Sequence, residues 1–198
     1  MFNFTIIPAL ALGIGLAVAG PVRADTGGHT DAAEMQACLN AETSLAHAIS
    51  TAESQNNGHA FAISMEKEDG RYVYKVAVLQ KEDSVEYLID PKSGTVTGSD
   101  DEDFLGELFD RDHTTALRTK LANSSLDLTQ AVAAAERKTG GRAVEANADE
   151  GRNALLFKVQ TVRDGVVQQV NIIGKTGKIS AITAADRDSL EKEEHGED

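Results

Sequence analysis

Sliding the sequence against itself by 83 residues aligns residues 45–96 with residues 128–179 without a gap. Eleven positions are identical. The first six pair Leu45 with Leu128, Ala48 with Ala131, Ala52 with Ala135, Glu53 with Glu136, Gly58 with Gly141 and Ala60 with Ala143. The other five pair Lys75 with Lys158, Val76 with Val159, Ile89 with Ile172, Lys92 with Lys175 and Gly94 with Gly177. Ile49 with Val132, Tyr74 with Phe157 and Val96 with Ile179 keep apolar character at matching places. A repeat at fixed offset binds both stretches to one kind of supersecondary unit, so any fold read for the first must also suit the second.

Each copy reads as a helix followed by a short antiparallel sheet. Leu45, Ala48, Ile49 and Ala52 fall at i, i+3, i+4 and i+7, one apolar helical stripe, and Leu128, Ala131, Val132 and Ala135 repeat it. Ser44 and Asp127 occupy the N-cap positions, and Gln130 three residues beyond Asp127 completes a near capping box. Gly58 and Gly141 are read as the helix stops. The period then changes to two. Residues 71–78, rich in Tyr and Val, follow an Asp69-Gly70 hairpin signal, and residues 84–90 make the next strand. Asp164-Gly165 is read as the corresponding turn of the second copy, joining the strand around Phe157 to the strand 166–173. Pro91-Lys92-Ser93-Gly94 and Gly174-Lys175-Thr176-Gly177 turn into short final strands at Val96 and Ile179. The expected fold is α+β: two tandem α-β-β-β modules, each a helix packed on a small antiparallel sheet.

The remaining segments frame these copies. Residues 1–24 carry an apolar run from Ile6 to Val18 that ends in Val22-Arg23-Ala24, the pattern of an export signal cut after Ala24. The run is too short to span a bilayer, and Cys38 is too far from the cut to carry a lipid, so no membrane anchor is expected after cleavage. The expected organisation is a signal peptide at 1–24, an N-terminal extension plus first module at 25–98, an acidic and helical linker at 99–125, a second module at 126–183 and a charged tail at 184–198. Within the linker, Phe104, Leu105, Leu108 and Phe109 have the spacing of a short amphipathic helix. Export implies a periplasmic or secreted protein.

The chain has 32 acidic against 19 basic residues and a formal net charge of −13. Nucleic acid is excluded as a partner, because phosphate binding needs clustered Lys and Arg. Basic proteins, basic peptides and cations fit the charge. A single cysteine forms no intramolecular disulfide, so Cys38 is either a buried small apolar residue or a thiol open to a partner. His29, His47, His59, His113 and His195 show no metal-ligand spacing, and no nucleophile elbow, phosphate loop or triad order is present, so no enzyme and no cofactor are expected. Glu53 and Glu136 are read as solvated helix residues or as partners of Lys75 and Lys158. The acidic run Asp100, Asp101, Glu102 and Asp103 is a weak metal candidate that lacks the spacing of a calcium loop.

Leu45-x-x-Ala48-Ile49-x-x-Ala52, then Tyr74-Lys75-Val76, then Tyr87-Leu88-Ile89-Asp90-Pro91-x-x-Gly94-x-Val96 resembles the PepSY domain. The Asp-x-x-x-Gly turn stands at Asp90 and Gly94, whereas the second copy has Ile173 in place of the aspartate. PepSY modules occur in propeptides of secreted thermolysin-type metallopeptidases and as free exported proteins. The resemblance therefore implies a non-catalytic binding module that modulates or inhibits a peptidase or another periplasmic protein or peptide. The alternative is a periplasmic sensor of a small ligand or cation. Tyr72, Tyr74 and Tyr87, with Asp90, are the expected partner-binding residues, because tyrosine brings a large contact area with a polar tip. Leu155, Phe157 and Val170 hold the matching places in the second copy and suit packing.

Overall fold

A computed structural model describes residues 31–80, 84–100, 111–151 and 154–184. Four helices are described: α1 (Ala32–Asn40), α2 (Leu45–Asn56), α3 (Arg111–Ala122) and α4 (Leu128–Thr139). The strands are β1 (His59–Glu68), β2 (Arg71–Leu79), β3 (Ser84–Ile89), β4 (Val96–Asp100), β5 (Arg142–Glu150), β6 (Leu155–Arg163), β7 (Val166–Ile173) and β8 (Ile179–Ala184). Displacement by 83 residues carries the bounds of α2 onto those of α4, and the first residues of β1 and β4 onto those of β5 and β8.

All eight strands join one antiparallel sheet, ordered β4-β3-β2-β1-β5-β6-β7-β8. This corrects the expectation of two small three-stranded sheets. The expectation lacks β1 and β5; Ala, Glu, Asp and Asn dominate 142–150 and are poor in strands, whereas β1 alternates Phe61, Ile63 and Met65 and was open to a strand reading. Pairing on both sides, β1 between β2 and β5 and β5 between β1 and β6, overrides that weak local preference. At the seam Ala62 faces Asn147 and Ile63 faces Ala146, its own counterpart 83 residues on.

The hairpin turns also differ from expectation. Asp69-Gly70 joins β1 to β2, whereas Asp164-Gly165 joins β6 to β7, so they are not counterparts. Both turns hold Asp and Gly at positive φ, 48° and 79° in the first and 52° and 75° in the second. That is two-residue hairpin chemistry, which is local and carries no information about which strands it links.

Ser44 and Asp127 cap α2 and α4 as expected: Ser44 accepts from His47 N, and Asp127 forms a full capping box with Gln130. The helices end one residue before the predicted glycines, at Asn57 and Gly140, both left-handed. Gly58 and Gly141 serve another purpose. A Cβ on Gly58 would stand 2.4 Å from Val78 Cγ1, and one on Gly141 would stand 2.8 Å from Val162 O, so glycine permits close approach to the neighbouring strand.

The apolar stripes of α2 and α4 are wholly buried and lie on one face of the sheet. Ile63, Met65, Tyr74, Val76 and Ile89 meet them from the first half, and Phe157, Val159, Val170 and Ile172 from the second. The two helices also touch each other. Each such side chain fully removed from water contributes about 1.5–3 kcal/mol, and one core continuous across the seam collects these terms from both halves.

Candidate functional site

An open groove of about 620 Å³ lies between α1, the loop behind it and the ends of β2 and β3. Ala33, Ala37 and Ala41 form an apolar wall, Tyr72 and Pro91 stand opposite, and Glu42 and Lys92 bring one charge of each sign. Short alanine side chains on α1 keep the groove open where larger ones would close it. Asp31 fixes that helix with a complete capping box, since Glu34 N donates to Asp31 Oδ1 at 2.7 Å and Asp31 N to Glu34 Oε2 at 3.1 Å.

Of the tyrosines expected to meet a partner, Tyr72 lines the groove and is half-buried. Tyr74 is 0% exposed, and its hydroxyl donates to Thr43 O at 2.8 Å. Burial pushes that phenol above its ordinary pKa, so it stays a donor and braces the loop that carries Ala41 and Glu42. Tyr87 is buried, and its hydroxyl oxygen accepts from Asn56 Nδ2 at 2.6 Å. Tyr74 and Tyr87 thus belong to the core. Strand alternation puts 72, 74, 76 and 78 on one face, and that face is the one the helices cover.

Asp90 acts on the turn. Its Oδ1 accepts from Lys92 N at 3.0 Å, Ser93 N at 2.6 Å and Ser93 Oγ at 3.0 Å, and these bonds, that of Ser93 N foremost, hold its carboxyl below the usual range. The turn presents Pro91 and Lys92 to the groove. It also requires glycine at 94, where φ is +72° and a Cβ would stand 2.8 Å from the His47 ring. Where Ile173 replaces Asp90 the turn survives on backbone bonds: Gly177 N donates to Ile173 O at 2.8 Å as Gly94 N does to Asp90 O at 2.9 Å.

The repeated glutamates have a role the sequence reading missed. Glu53 Oε1 accepts from Ala60 N and Glu136 Oε1 from Ala143 N, each at 2.9 Å, beside a bulge in β1 and in β5. They are therefore not partners of the repeated lysines. Lys75 instead lies 3.1, 2.8 and 3.3 Å from the carboxylates of Glu66, Glu68 and Glu86. Burial works against the Lys75 charge, but these carboxylates more than offset it and hold its pKa above the usual lysine value. Lys158 meets Asp149, the counterpart of Glu66, at 2.7 Å.

Cys38 takes the buried reading. Its thiol is 0% exposed, stands 3.8 Å from the Tyr74 hydroxyl, and is pushed up to about 11 by burial, which leaves it protonated and unreactive at neutral pH. Asp100 ends β4, opposite Glu86. Asp101, Glu102 and Asp103 lie outside the described residues, as do the signal segment, the 104–109 helix and the tail beyond 184. Among the described residues no three His, Cys, Asp or Glu side chains gather as a metal site. Arg142, which ties β5 to the loop behind α1, was not singled out from the sequence. Its pairing with basic His59 at the repeat offset was the available signal.

The family model described as peptidase propeptide and YPEB domain, PepSY, matches residues 44–100. Residues 44–100 are thus similar to a PepSY domain. The match begins at the α2 cap, Ser44, and ends with β4, so it encloses Tyr72, the Asp90 turn and the strands between them. No curated protein matches the chain. Among solved structures, a protein of Clostridium difficile 630 described as a "putative lipoprotein" is 18% identical, with a TM-score of 0.43 over 69% of this chain and 88% of that one. No helix among the described residues is long and apolar enough to cross a membrane.

Proposed function

We propose that the chain is an exported, non-catalytic binding module that modulates or inhibits a peptidase or another periplasmic protein, with an N-terminal extension plus first module at 25–98 and a second module at 126–183 built into one sheet. The observation that carries this reading is the groove beside the PepSY domain, apolar on one wall, with the Tyr72 ring and Pro91 on the other and Lys92 and Glu42 among its lining. Such a surface suits a polypeptide: aromatic area supplies contact, and the two charges select register. The test is the progress curve of a thermolysin-type metallopeptidase with and without the full chain. Inhibition that Tyr72→Ala weakens supports the reading, and uninhibited hydrolysis at saturating protein overturns its inhibitory form. Export is tested by N-terminal sequencing of the mature protein, which should begin at Asp25.

The second reading, cation sensing, draws on Asp100 and Glu86 standing opposite each other across β3 and β4. Calcium titration calorimetry of the parent and of Asp100→Ala/Asp103→Ala separates it, since identical traces exclude that site.

A further inference from the structure

Arg142 opens β5 and runs its guanidinium into the end of α1. Nη1 donates to Leu39 O at 3.1 Å, and Nη2 donates to Ala41 O at 2.7 Å and Thr43 O at 3.4 Å. A helix end leaves its last carbonyls without partners and carries partial negative charge, so a cation there is doubly favoured. The 83-residue offset carries Arg142 to His59, and Leu39, Ala41 and Thr43 to Ala122, Ser124 and Leu126. The backbone confirms the equivalence: Ser124 N donates to Leu121 O as Ala41 N does to Cys38 O.

At this second place the chain builds a cavity of about 300 Å³, with Glu53, His59, Ala122, Ser124, Leu126 and Asp127 in its lining. His59 is exposed, and among the described residues no side chain donates to the Ala122 or Ser124 carbonyl. The Leu126 carbonyl accepts from Ser124 Oγ at 2.7 Å. The cavity is also less basic than its counterpart, because neutral Gln130 stands where the first half has His47, while the acids are equal in number: Asp127 replaces Ser44 and Ser125 replaces Glu42. Glu53 and Asp127 each commit one oxygen, Oε1 and Oδ1, to a backbone N–H.

We infer that this cavity receives an arginine side chain of a partner polypeptide, its guanidinium on the carbonyls of Ala122 and Ser124 and its charge facing Glu53 and Asp127. The internal counterpart shows the geometry already working, with one planar fork spanning two or three diverging carbonyls. That is an arrangement for a guanidinium rather than for the compact lysine ammonium. The volume sits at the small end of ligand pockets and suits one side chain rather than a folded segment. The site shares no residue with the Tyr72 groove, so either proposal can fail without the other.

The experiment is an amide NMR titration of the full chain with the peptide acetyl-Gly-Arg-Gly-amide, its citrulline analogue and free arginine. The arginine peptide is expected to shift His59, Ser124, Ser125 and Gln130. Citrulline, with the same shape and no charge, should bind about tenfold or more weakly, the loss of a charge-assisted hydrogen bond. Free arginine should bind more weakly than the peptide, since its carboxylate meets Glu53 and Asp127. His59→Arg supplies the missing side chain from within, so it should abolish the shifts and raise the thermal midpoint. Glu53→Gln keeps an acceptor for Ala60 N while removing the charge, and it should weaken binding without unfolding the chain. Equal binding of arginine and citrulline peptides, parent-like binding by His59→Arg, or shifts confined to other acidic surfaces would overturn the proposal. Free arginine binding as tightly as the peptide would overturn the polypeptide as its source.

Discussion

Where the first half buries Tyr74 the second buries Phe157, and each is 0% exposed. The tyrosine hydroxyl serves Thr43 O, and phenylalanine has nothing to offer the matching carbonyl of Leu126. Ser124 Oγ serves it instead, from a position where the first half has Ala41. Asp90 and Ile173 make a similar contrast, since one turn is held by a carboxylate and backbone and the other by backbone with the hydroxyls of Thr176 and Ser125. The backbone's demand for partners is therefore constant between the halves, while the side chains that meet it have moved. Glu53 and Glu136 are the exception, kept in both halves for one buried N–H apiece.

The severest way to break the comparison is to hollow out its matched centres. Phe157→Ala should cost about 3–5 kcal/mol in urea unfolding, and Tyr74→Ala at least as much, because it also strips Thr43 O of a donor. A markedly cheaper Tyr74→Ala would show that the halves do not share one cooperative core. Next come the repeated glutamates, where Glu53→Ala and Glu136→Ala should each lose about 1–3 kcal/mol by orphaning a buried N–H, and the Gln variants far less. Burial raises the Glu53 pKa above its ordinary 4.5, despite the Ala60 N–H bond that pulls it down. A carboxylate with a raised folded-state value contributes stability present below 4.5 and lost as pH rises through that higher value. Glu53→Gln should flatten that part of the stability profile, and an unchanged slope would contradict the assignment.

A subtler exchange sharpens the contrast. Tyr74→Phe should cost about 0.5–1.5 kcal/mol, and adding Ala41→Ser, which imports the second half's solution, should recover part of it. No recovery in the double variant would mean the two loops differ in backbone path. Smallest is Asp90→Ala, expected to cost about 0.5–1 kcal/mol at neutral pH because the turn retains its backbone bonds. The Asp90 pKa is lowered, so its contribution is present above the ordinary 3.8 and is lost as pH falls through the lower value. Chemical denaturation of parent and variant near neutrality and in acid should converge at the acid end.

The helices were readable because Leu45, Ala48, Ile49 and Ala52 and their counterparts repeat a helical period that only a covered face explains, and Ser44 and Asp127 carry cap chemistry within a few residues. The single sheet was not. Its seam rests on two facing pairs, and Ala62, Asn147, Ile63 and Ala146 carry no composition that distinguishes a seam from an edge. Tyr74 was assigned to a partner surface on the general enrichment of tyrosine at interfaces. The period-two pattern shared with Val76 and Val78 already placed it with the core. The role of Glu53 and Glu136 was hidden for another reason: the N–H each one serves lies seven residues away, across a helix end and a bulge, and sequence spacing does not report such contacts. Of the groove lining, Tyr72 alone is legible as a partner-binding residue, because Pro91 and Lys92 read as a turn and the opposite wall is made of alanines.

Ile63 faces Ala146, its counterpart at the 83-residue offset, as a residue on the two-fold of a homodimer faces its own copy, yet here one chain supplies both. In a homodimer every substitution appears twice, so both copies of a pocket are filled or both are open. Covalent linkage removes that constraint. One helix end is stoppered by Arg142, while beside His59 the Leu126 carbonyl is met by Ser124 Oγ and the carbonyls of Ala122 and Ser124 take no side-chain donor among the described residues. The continuous sheet holds the two at fixed separation, so the closed site serves as the structural reference against which the open one can change.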